Sequence, residues 1–181
     1  FFSYYFYSMA DLILHQLKTL KQVEVCDQLF RDYMRWLIEE LYAKHQLQIT
    51  PAQEESLHED FREEWPTMLE GRGGIYLATL DGLPSGVCTL KPVSDEEVEL
   101  KRFYVASSAR GNGIGRLLLE HALDAARQLG YNQVRLETFA FMKSAVKMYE
   151  SYGFQEVPPF EGFEGTKHGT GAVELFMELR F

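Results

Sequence analysis

ELKRFYVASSARGNGIGRLLLEHAL, residues 99–123, combines a strand-like segment, a glycine-rich loop and the start of an amphipathic helix. The loop carries three glycines and two flanking arginines: Gly111, Gly113, Gly115, Arg110 and Arg116. Glycines let the backbone turn tightly and expose consecutive N–H groups, and the helix dipole adds partial positive charge at the same point. The stretch therefore predicts a site for a phosphate-like anion; the alternative is that the glycines only begin the helix.

Two familiar phosphate-binding loops do not match this segment. The dinucleotide fingerprint GxGxxG requires a third glycine where Arg116 stands relative to Gly111. The nucleoside-triphosphate loop requires Gly-Lys followed by serine or threonine, which the segment lacks. Neither NAD nor ATP is therefore indicated by a motif.

The residues upstream of this stretch predict one strand, two helices and then three strands. DLILHQL alternates as a short strand, and residues 23–45 have the apolar spacing of one long helix, with Val25, Leu29 and Trp36 on its buried face. Thr50 before Pro51 predicts the start of an acidic helix that runs to about Leu69. GIYLATL, GVCTLKPV and EVELKRFYV are separated by turn-forming residues, which favours three consecutive antiparallel strands.

The downstream residues predict helices alternating with strands. The helix after Gly113 carries an apolar stripe: Ile114, Leu117, Leu118, His121, Ala122, Ala125 and Leu129. Gly130 ends it, NQVRLET is a strand, KSAVKMYESY is a helix, and FQEV and AVELFMELRF are a final strand pair. The order β α α β β β α β α β β predicts an α/β chain of the α+β type, with a mixed, mostly antiparallel central sheet and helices on both faces.

Length and charge restrict the classes of function. The 181 residues suit one domain, and the formal net charge of −9 argues against nucleic-acid or membrane-surface partners. Residues 39–70 carry a local charge of 2 − 9 = −7, whereas residues 101–147 carry 8 − 3 = +5. An acidic rim opposite a basic half favours a cationic ligand on the acidic side, although the commoner interpretation is a solvated helix face.

Cysteines, histidines and the N-terminus add no further motif. Cys26 and Cys88 are too few for a disulfide framework, and the histidine spacing does not indicate a metal site. Residues 1–8 precede Met9 and are interpreted as a leader, a cloning remnant or an extension of the first strand. Without a signal-peptide pattern or a membrane span, a soluble cytoplasmic protein is expected.

The glycine-rich loop resembles the acetyl-CoA-binding motif Q/R-x-x-G-x-G/A of the GNAT family of N-acetyltransferases, through Arg110, Gly113 and Gly115. AVKMYESYGF resembles the family's tyrosine-bearing helix, and the order of elements agrees over about residues 10–180, so residues 9–181 are expected to form a single N-acetyltransferase domain. One departure is Met142, where the family commonly has asparagine. The resemblance implies that the following residues bind acetyl-CoA: Phe103, Tyr104, Val105, Arg110, Gly111, Asn112, Gly113, Ile114, Gly115 and Arg116.

The resemblance also implies two catalytic groups. An acceptor amine must lose a proton before it attacks a thioester, and Glu99 occupies the position where the family often has a general base. Glu97, Glu137 or water could serve instead. Tyr149 matches the family's acid, which protonates the leaving thiolate; its alternative role is that of a core tyrosine.

The expected activity is transfer of an acetyl group from acetyl-CoA directly to a primary amine of a small molecule or peptide. The alternative is a non-catalytic acyl-CoA sensor or partner subunit, and another acyl donor would leave the loop unchanged. The acidic rim favours a cationic acceptor. Aromatic residues on the terminal strands leave both a monomer and a homodimer open.

Overall fold

The computed structural model describes residues 11–160 and 173–181, and these residues form a seven-stranded mixed sheet with helices on both faces. The strands are β1 (Leu12–Leu17), β2 (Gly74–Leu80), β3 (Leu83–Pro92), β4 (Glu97–Val105), β5 (Gln133–Phe139), β6 (Gln155–Val157) and β7 (Glu174–Arg180). The helices are α1 (Leu20–Val23), α2 (Asp27–His45), α3 (Pro51–Leu69), α4 (Ile114–Gln128) and α5 (Lys143–Ser151). The predicted fold class is confirmed, and the alternatives for residues 1–8 lie outside the described residues.

The sheet order is β1-β2-β3-β4-β5-β7-β6. β4 and β5 pair in parallel, and the other neighbouring strands in the described sheet are antiparallel. One apolar layer joins α4 and Tyr149 of α5 to one face of the sheet, and a second layer joins α2 and α3 to the other. β4 therefore lies at the centre of the molecule, between the two groups of helices.

The long helix predicted for residues 23–45 is interrupted at its start. α1 is a single turn, and residues Glu24–Cys26 form a 3₁₀ turn before α2 begins at Asp27. A 3₁₀ turn has three residues per turn rather than 3.6, so it changes which side chains face the core. The prediction for Val25 is wrong for this reason: its side chain is 55% exposed, while Val23 and Cys26 are fully buried.

Part of the buried face of α4 is shifted by one residue relative to the apolar stripe that the sequence predicts. The buried residues are Ile114, Leu118, Leu119, Ala122, Leu123 and Ala126. Leu117, His121, Ala125 and Leu129 are half-buried at the edge of this stripe. The helix lies across a twisted sheet, so the contact line follows the sheet surface rather than the sequence period alone.

Cys26 and Cys88 are buried free thiols. Burial raises the pKa of Cys26 to about 12 and also raises the pKa of Cys88, so neither forms a thiolate at neutral pH. Within residues 11–160 and 173–181, no helix combines the length and apolar character needed to cross a membrane.

The N-terminus of α3 has the predicted cap. The Thr50 hydroxyl accepts a hydrogen bond from the Gln53 backbone N–H at 3.3 Å, and the Gln53 side-chain oxygen accepts one from the Thr50 N–H at 2.9 Å. Pro51 occupies the first helical position, where its missing N–H costs nothing.

Thr50→Ala is expected to lower the free energy of unfolding by about 1 kcal/mol, because the first turn of α3 then loses a partner for an N–H group. Urea denaturation measures the difference. Thr67→Ala is the matched control, since Thr67 is exposed within the same helix. An equal loss in the two variants would contradict a capping role for Thr50.

Candidate functional site

β4 and β5 separate partway along their length. Their pairing in the described sheet runs from Glu97 opposite Gln133 to Leu100 opposite Leu136, whereas β4 continues to Val105. Backbone groups in the second half of β4 therefore have no neighbour on the β5 side within this pairing. An extended ligand chain could pair with that edge.

An irregularity in β4 lies at the same point. The register with β3 shifts so that Thr89 pairs with Lys101 and Val87 with Tyr104, which leaves an additional residue on β4. Arg102 takes up this bulge with a φ of 53°, a left-handed conformation that is uncommon for a residue with a side chain. The bulge reinforces the bend of β4 away from β5.

A cleft of about 710 Å³ opens beside the second half of β4 and the start of α4. Nine of the ten residues expected to bind acetyl-CoA line it: Phe103, Tyr104, Val105, Arg110, Gly111, Gly113, Ile114, Gly115 and Arg116. The exception is Asn112, whose side-chain amide donates to the carbonyl of Ala109 at 3.0 Å. Asn112 therefore stabilises the shape of the loop from outside the cleft.

The glycines of the loop leave space where a ligand could approach the backbone. Gly111 and Gly113 have φ values of 85° and 79°, and a β-carbon added to either would meet no heavy atom of the described structure within 4 Å. Gly115 differs, since its added β-carbon would contact Met148, Phe103 and Val105 at ordinary distances of 3.7–3.9 Å. Gly113 immediately precedes α4, so its peptide groups lie at the positive end of the helix dipole.

Some lining residues come from elements that sequence analysis did not connect with the loop. Trp36 and Lys44 of α2 line the cleft, as do Phe141 and Lys143 near the start of α5. The Arg110 guanidinium lies 5.5 Å from the centre of the Trp36 ring. Among the described lining residues, these two lysines, Arg110 and Arg116 make four cations against one carboxylate, that of Glu40. This charge suits a polyanion.

A second cavity, of about 90 Å³, lies between α2, α3 and the opposite face of β4 and β5. Two of the carboxylates considered as the base, Glu99 and Glu137, line this cavity. Glu97 is not among the described residues that line this cavity. The Glu97 carboxylate accepts a hydrogen bond from the side-chain amide of Gln133 at 3.0 Å. The cavity also adjoins Tyr33, one turn before Trp36 on α2. The two cavities therefore flank β4 and share the same helix as a wall.

Glu99 is held by an arginine on the neighbouring strand. Its side chain is 7% exposed, and one carboxylate oxygen lies 3.5 Å from Nη2 of Arg135, its register partner on β5. Arg135 also reaches Glu97 at 3.5 Å and lies over the Phe160 ring at 4.1 Å. The buried carboxylate of Glu99 is therefore held in position by an ion pair with the neighbouring strand.

Tyr149 is more deeply buried than the acid role requires. It is 4% exposed, and its ring packs edge-on against Phe103 with the ring centroids 5.9 Å apart. Tyr149 is not among the described residues that line either cavity. Burial is the main reason that its pKa is raised above 10.0, with smaller contributions from Tyr33 and Cys88. The hydroxyl therefore stays protonated at neutral pH.

The acidic residues of α3 divide into an outer and an inner group. Glu59 and Glu63 are exposed and line neither of the two cavities in the described structure. Glu64 points inward and forms ion pairs with Lys91 and Lys101, the latter at 3.3 Å. Apart from Glu40, which lines the cleft, the acidic residues of 39–70 lie outside the two cavities and could act on a ligand only at longer range.

Comparison with known proteins identifies a family model, described as "Acetyltransferase (GNAT) family", that matches residues 30–154. A relative from Escherichia coli, "Uncharacterized N-acetyltransferase YjgM", is 32% identical over 117 residues, which are 64% of this chain and 63% of that protein. "N-acetyltransferase 8" of Mus musculus is 35% identical over 55% of this chain and 47% of its own length. The matched region thus spans less than two thirds of either relative.

Solved structures share the architecture at low sequence identity. The PaiA N-acetyltransferase of Thermoplasma acidophilum, in complex with coenzyme A, superimposes with a TM-score of 0.70 over 94% of this chain and 99% of that one, at 17% identity. A GNAT family acetyltransferase of Elizabethkingia anophelis with acetyl-CoA bound gives a TM-score of 0.62 over 94% and 98% of the two chains, at 16% identity. At these identities the likeness concerns the fold.

Proposed function

Since this chain belongs to the GNAT family of acetyltransferases, we propose that it transfers an acetyl group from acetyl-CoA directly to a primary amine of a small molecule or peptide. Membership confirms the resemblance drawn from the glycine-rich loop. The observation that carries the proposal is the separation of β4 from β5. A basic, glycine-lined cleft lies on one side of β4, and a cavity lined by carboxylates that include Glu99 and Glu137 lies on the other.

The residues of the cleft fit a coenzyme A ligand. The space in front of Gly111 and Gly113 admits a pyrophosphate close to the backbone, and Arg110 and Arg116 supply charge beside it. The unpaired edge of β4 from Phe103 to Val105 would hold an extended arm by main-chain hydrogen bonds. Bound acetyl-CoA would supply the thioester whose acyl group is transferred.

Glu99 serves as the base in this proposal. An alkylammonium with a pKa near ~10 carries its proton at neutral pH and cannot attack a carbonyl until it loses it. Glu99 accepts this proton, directly or through one water, while Arg135 holds its carboxylate in place. Glu137 lines the same cavity and is the second candidate; Glu97, which lies outside that cavity, is the weakest carboxylate candidate.

Tyr149 serves as a hydrogen-bond donor to the departing sulfur. Its pKa is raised by burial, while a thiol has a pKa near ~8.5, so complete transfer of the phenolic proton to the thiolate is unfavourable. A hydrogen bond that strengthens as charge develops on sulfur needs no such transfer. The position of Tyr149 behind Phe103 is the observation that favours the alternative function, an acyl-CoA sensor without turnover.

An assay of thiol release separates the two functions. The chain is incubated with acetyl-CoA and a set of primary amines, and free coenzyme A thiol is measured together with acetyl-CoA affinity by calorimetry. Amine-dependent release supports the acetyltransferase. Tight binding without release at any amine would support the sensor, and absence of binding would overturn both.

Gly113→Val is expected to abolish the stabilisation of the protein by acetyl-CoA, because the side chain would occupy the space in front of the loop. A ligand at a concentration of about 100 times its Kd stabilises the parent protein by about 2.7 kcal/mol. Loss of this stabilisation is therefore measurable as a lower midpoint of thermal unfolding in the presence of acetyl-CoA.

Gly82→Val is the matched control for Gly113→Val. Gly82 has a φ of 78° and, like Gly113, no described heavy atom within 4 Å of an added β-carbon, but it lies in the turn between β2 and β3. Both variants carry the same backbone strain. If Gly113→Val keeps the stabilisation by acetyl-CoA that Gly82→Val shows, the loop does not bind the pyrophosphate.

A further inference from the structure

The smaller cavity has two walls of opposite character. Along α2 the lining residues Met34, Leu37, Ile38 and Leu41 recur at helical spacing and form an apolar wall. Ile49 and Leu57 extend this wall towards α3. The charged lining residues all come from the strands and carry both signs of charge. They are Glu99, Lys101 and Arg102 of β4, Glu137 of β5 and Glu174 of β7. An occupant of this cavity therefore contacts charge on one side and hydrocarbon on the other.

The two walls restrict what an acceptor amine can carry. One ammonium group can approach the carboxylates of Glu99 and Glu137 and exchange water for charged partners. A second ammonium at the far end of a short chain would face the aliphatic side chains of the apolar wall, where it would lose hydration. An alkyl group in the same place would instead be removed from water.

The size of the cavity adds a limit. Its volume of about 90 Å³ is smaller than the roughly 150 Å³ of an apolar cavity that admits benzene. A short alkyl group suits this space better than an aromatic ring.

We infer that the preferred acceptor is a primary amine on a short, uncharged alkyl group, and not a polyamine. The inference rests on the proposed function and names the acceptor class for that same site. The exposed surface of α3 and the wall of the cavity then respond to different properties of the acceptor. The exposed charge of α3, including Glu59 and Glu63, attracts cations in general, whereas the apolar wall discriminates among them.

Butylamine and 1,4-diaminobutane form the test pair, since they share a four-carbon chain and differ only in a second amine. We expect kcat/KM for butylamine to exceed that for 1,4-diaminobutane by at least about 10-fold, the discrimination typical of a hydrophobic pocket. Thiol release at saturating acetyl-CoA measures both values. Equal values, or a preference for the diamine, would overturn the inference while leaving the acetyltransferase in place. If no primary amine causes thiol release, the proposed function is overturned as well.

Ile38→Asp changes the apolar wall itself. Ile38 is half-buried, so the protein can tolerate a carboxylate there, and the new charge gives a second ammonium a partner. The ratio of kcat/KM for the two amines should fall towards 1 or invert, while the affinity for acetyl-CoA is unchanged. Ile13→Asp is the matched control, because Ile13 is 44% exposed on β1, away from the cavity. A ratio that shifts equally in the two variants, or in neither, would show that the α2 wall does not select the acceptor.

Discussion

Glu99→Gln is expected to lower kcat by about 10²–10⁴-fold and to remove the acidic limb of the pH–rate profile. The amide is nearly the same size and can still accept a hydrogen bond from Arg135, so the cavity keeps its shape. What it loses is the capacity to take a proton from the acceptor ammonium. Initial rates from pH 5 to pH 9 at saturating acetyl-CoA measure the effect, and the unfolding midpoint confirms that the variant is folded.

Two neighbouring carboxylates are the controls for Glu99→Gln. Glu97 lies on the same face of β4 as Glu99 but outside the cavity. Glu97→Gln should therefore leave the acidic limb of the pH–rate profile in place. Glu137→Gln changes a second carboxylate of the cavity. If the acidic limb persists in Glu99→Gln and disappears in Glu137→Gln, the base is Glu137. Persistence in all three variants would show that none of these three carboxylates removes the proton.

Tyr149→Phe is expected to lower kcat by about 10²–10³-fold, the usual effect of removing one hydrogen bond to a developing charge. KM for acetyl-CoA should change little, because the ring and its packing against Phe103 remain. A leaving group with a lower thiol pKa needs less help, so the deficit of Tyr149→Phe should shrink with a more acidic thioester donor. Steady-state rates with both donors test this dependence.

Tyr152→Phe is the control for Tyr149→Phe. Tyr152 follows α5 directly, and its hydroxyl donates to Glu120 on α4, so the substitution removes a phenol hydroxyl from the same region without touching the sulfur site. A normal kcat in Tyr149→Phe would remove the tyrosine from the mechanism and leave it as a core residue. Equal losses in the two variants would indicate a general effect on the packing of α4 and α5.

The sequence predicts the parts of this molecule that depend on local rules. The cap at Thr50 and the left-handed glycines at the two ends of α4 each depend on a few consecutive residues. The glycine-rich loop belongs to the same class, and six of the seven residues from Arg110 to Arg116 that are expected to bind the ligand line the cleft. Such features require only backbone geometry and hydrogen bonding within one or two turns.

The features that sequence analysis missed depend on contacts between distant segments. Trp36 and Lys44 reach the cleft because α2 crosses β4, and nothing in their neighbourhood along the chain signals this. The pairing of Arg135 with Glu99 follows from the register of β4 and β5, which are separated by a whole helix. The phase change near Val25 arises because packing of α1 and α2 overrides the local helical period.

The position of β7 has a consequence for how the sheet is completed during synthesis. Residues 174–180 form this strand, which lies between β5 and β6 and hydrogen-bonds to both. β2, β3 and β4 each pair with a strand that leaves the ribosome before them, whereas the edge of β5 that pairs with β7 stays open until residue 180 has emerged. That open edge includes Glu137 and Phe139, which line the smaller cavity. A nascent chain can therefore assemble the glycine-rich loop well before it can close the cavity, and its unpaired β5 is exposed to aggregation during that interval.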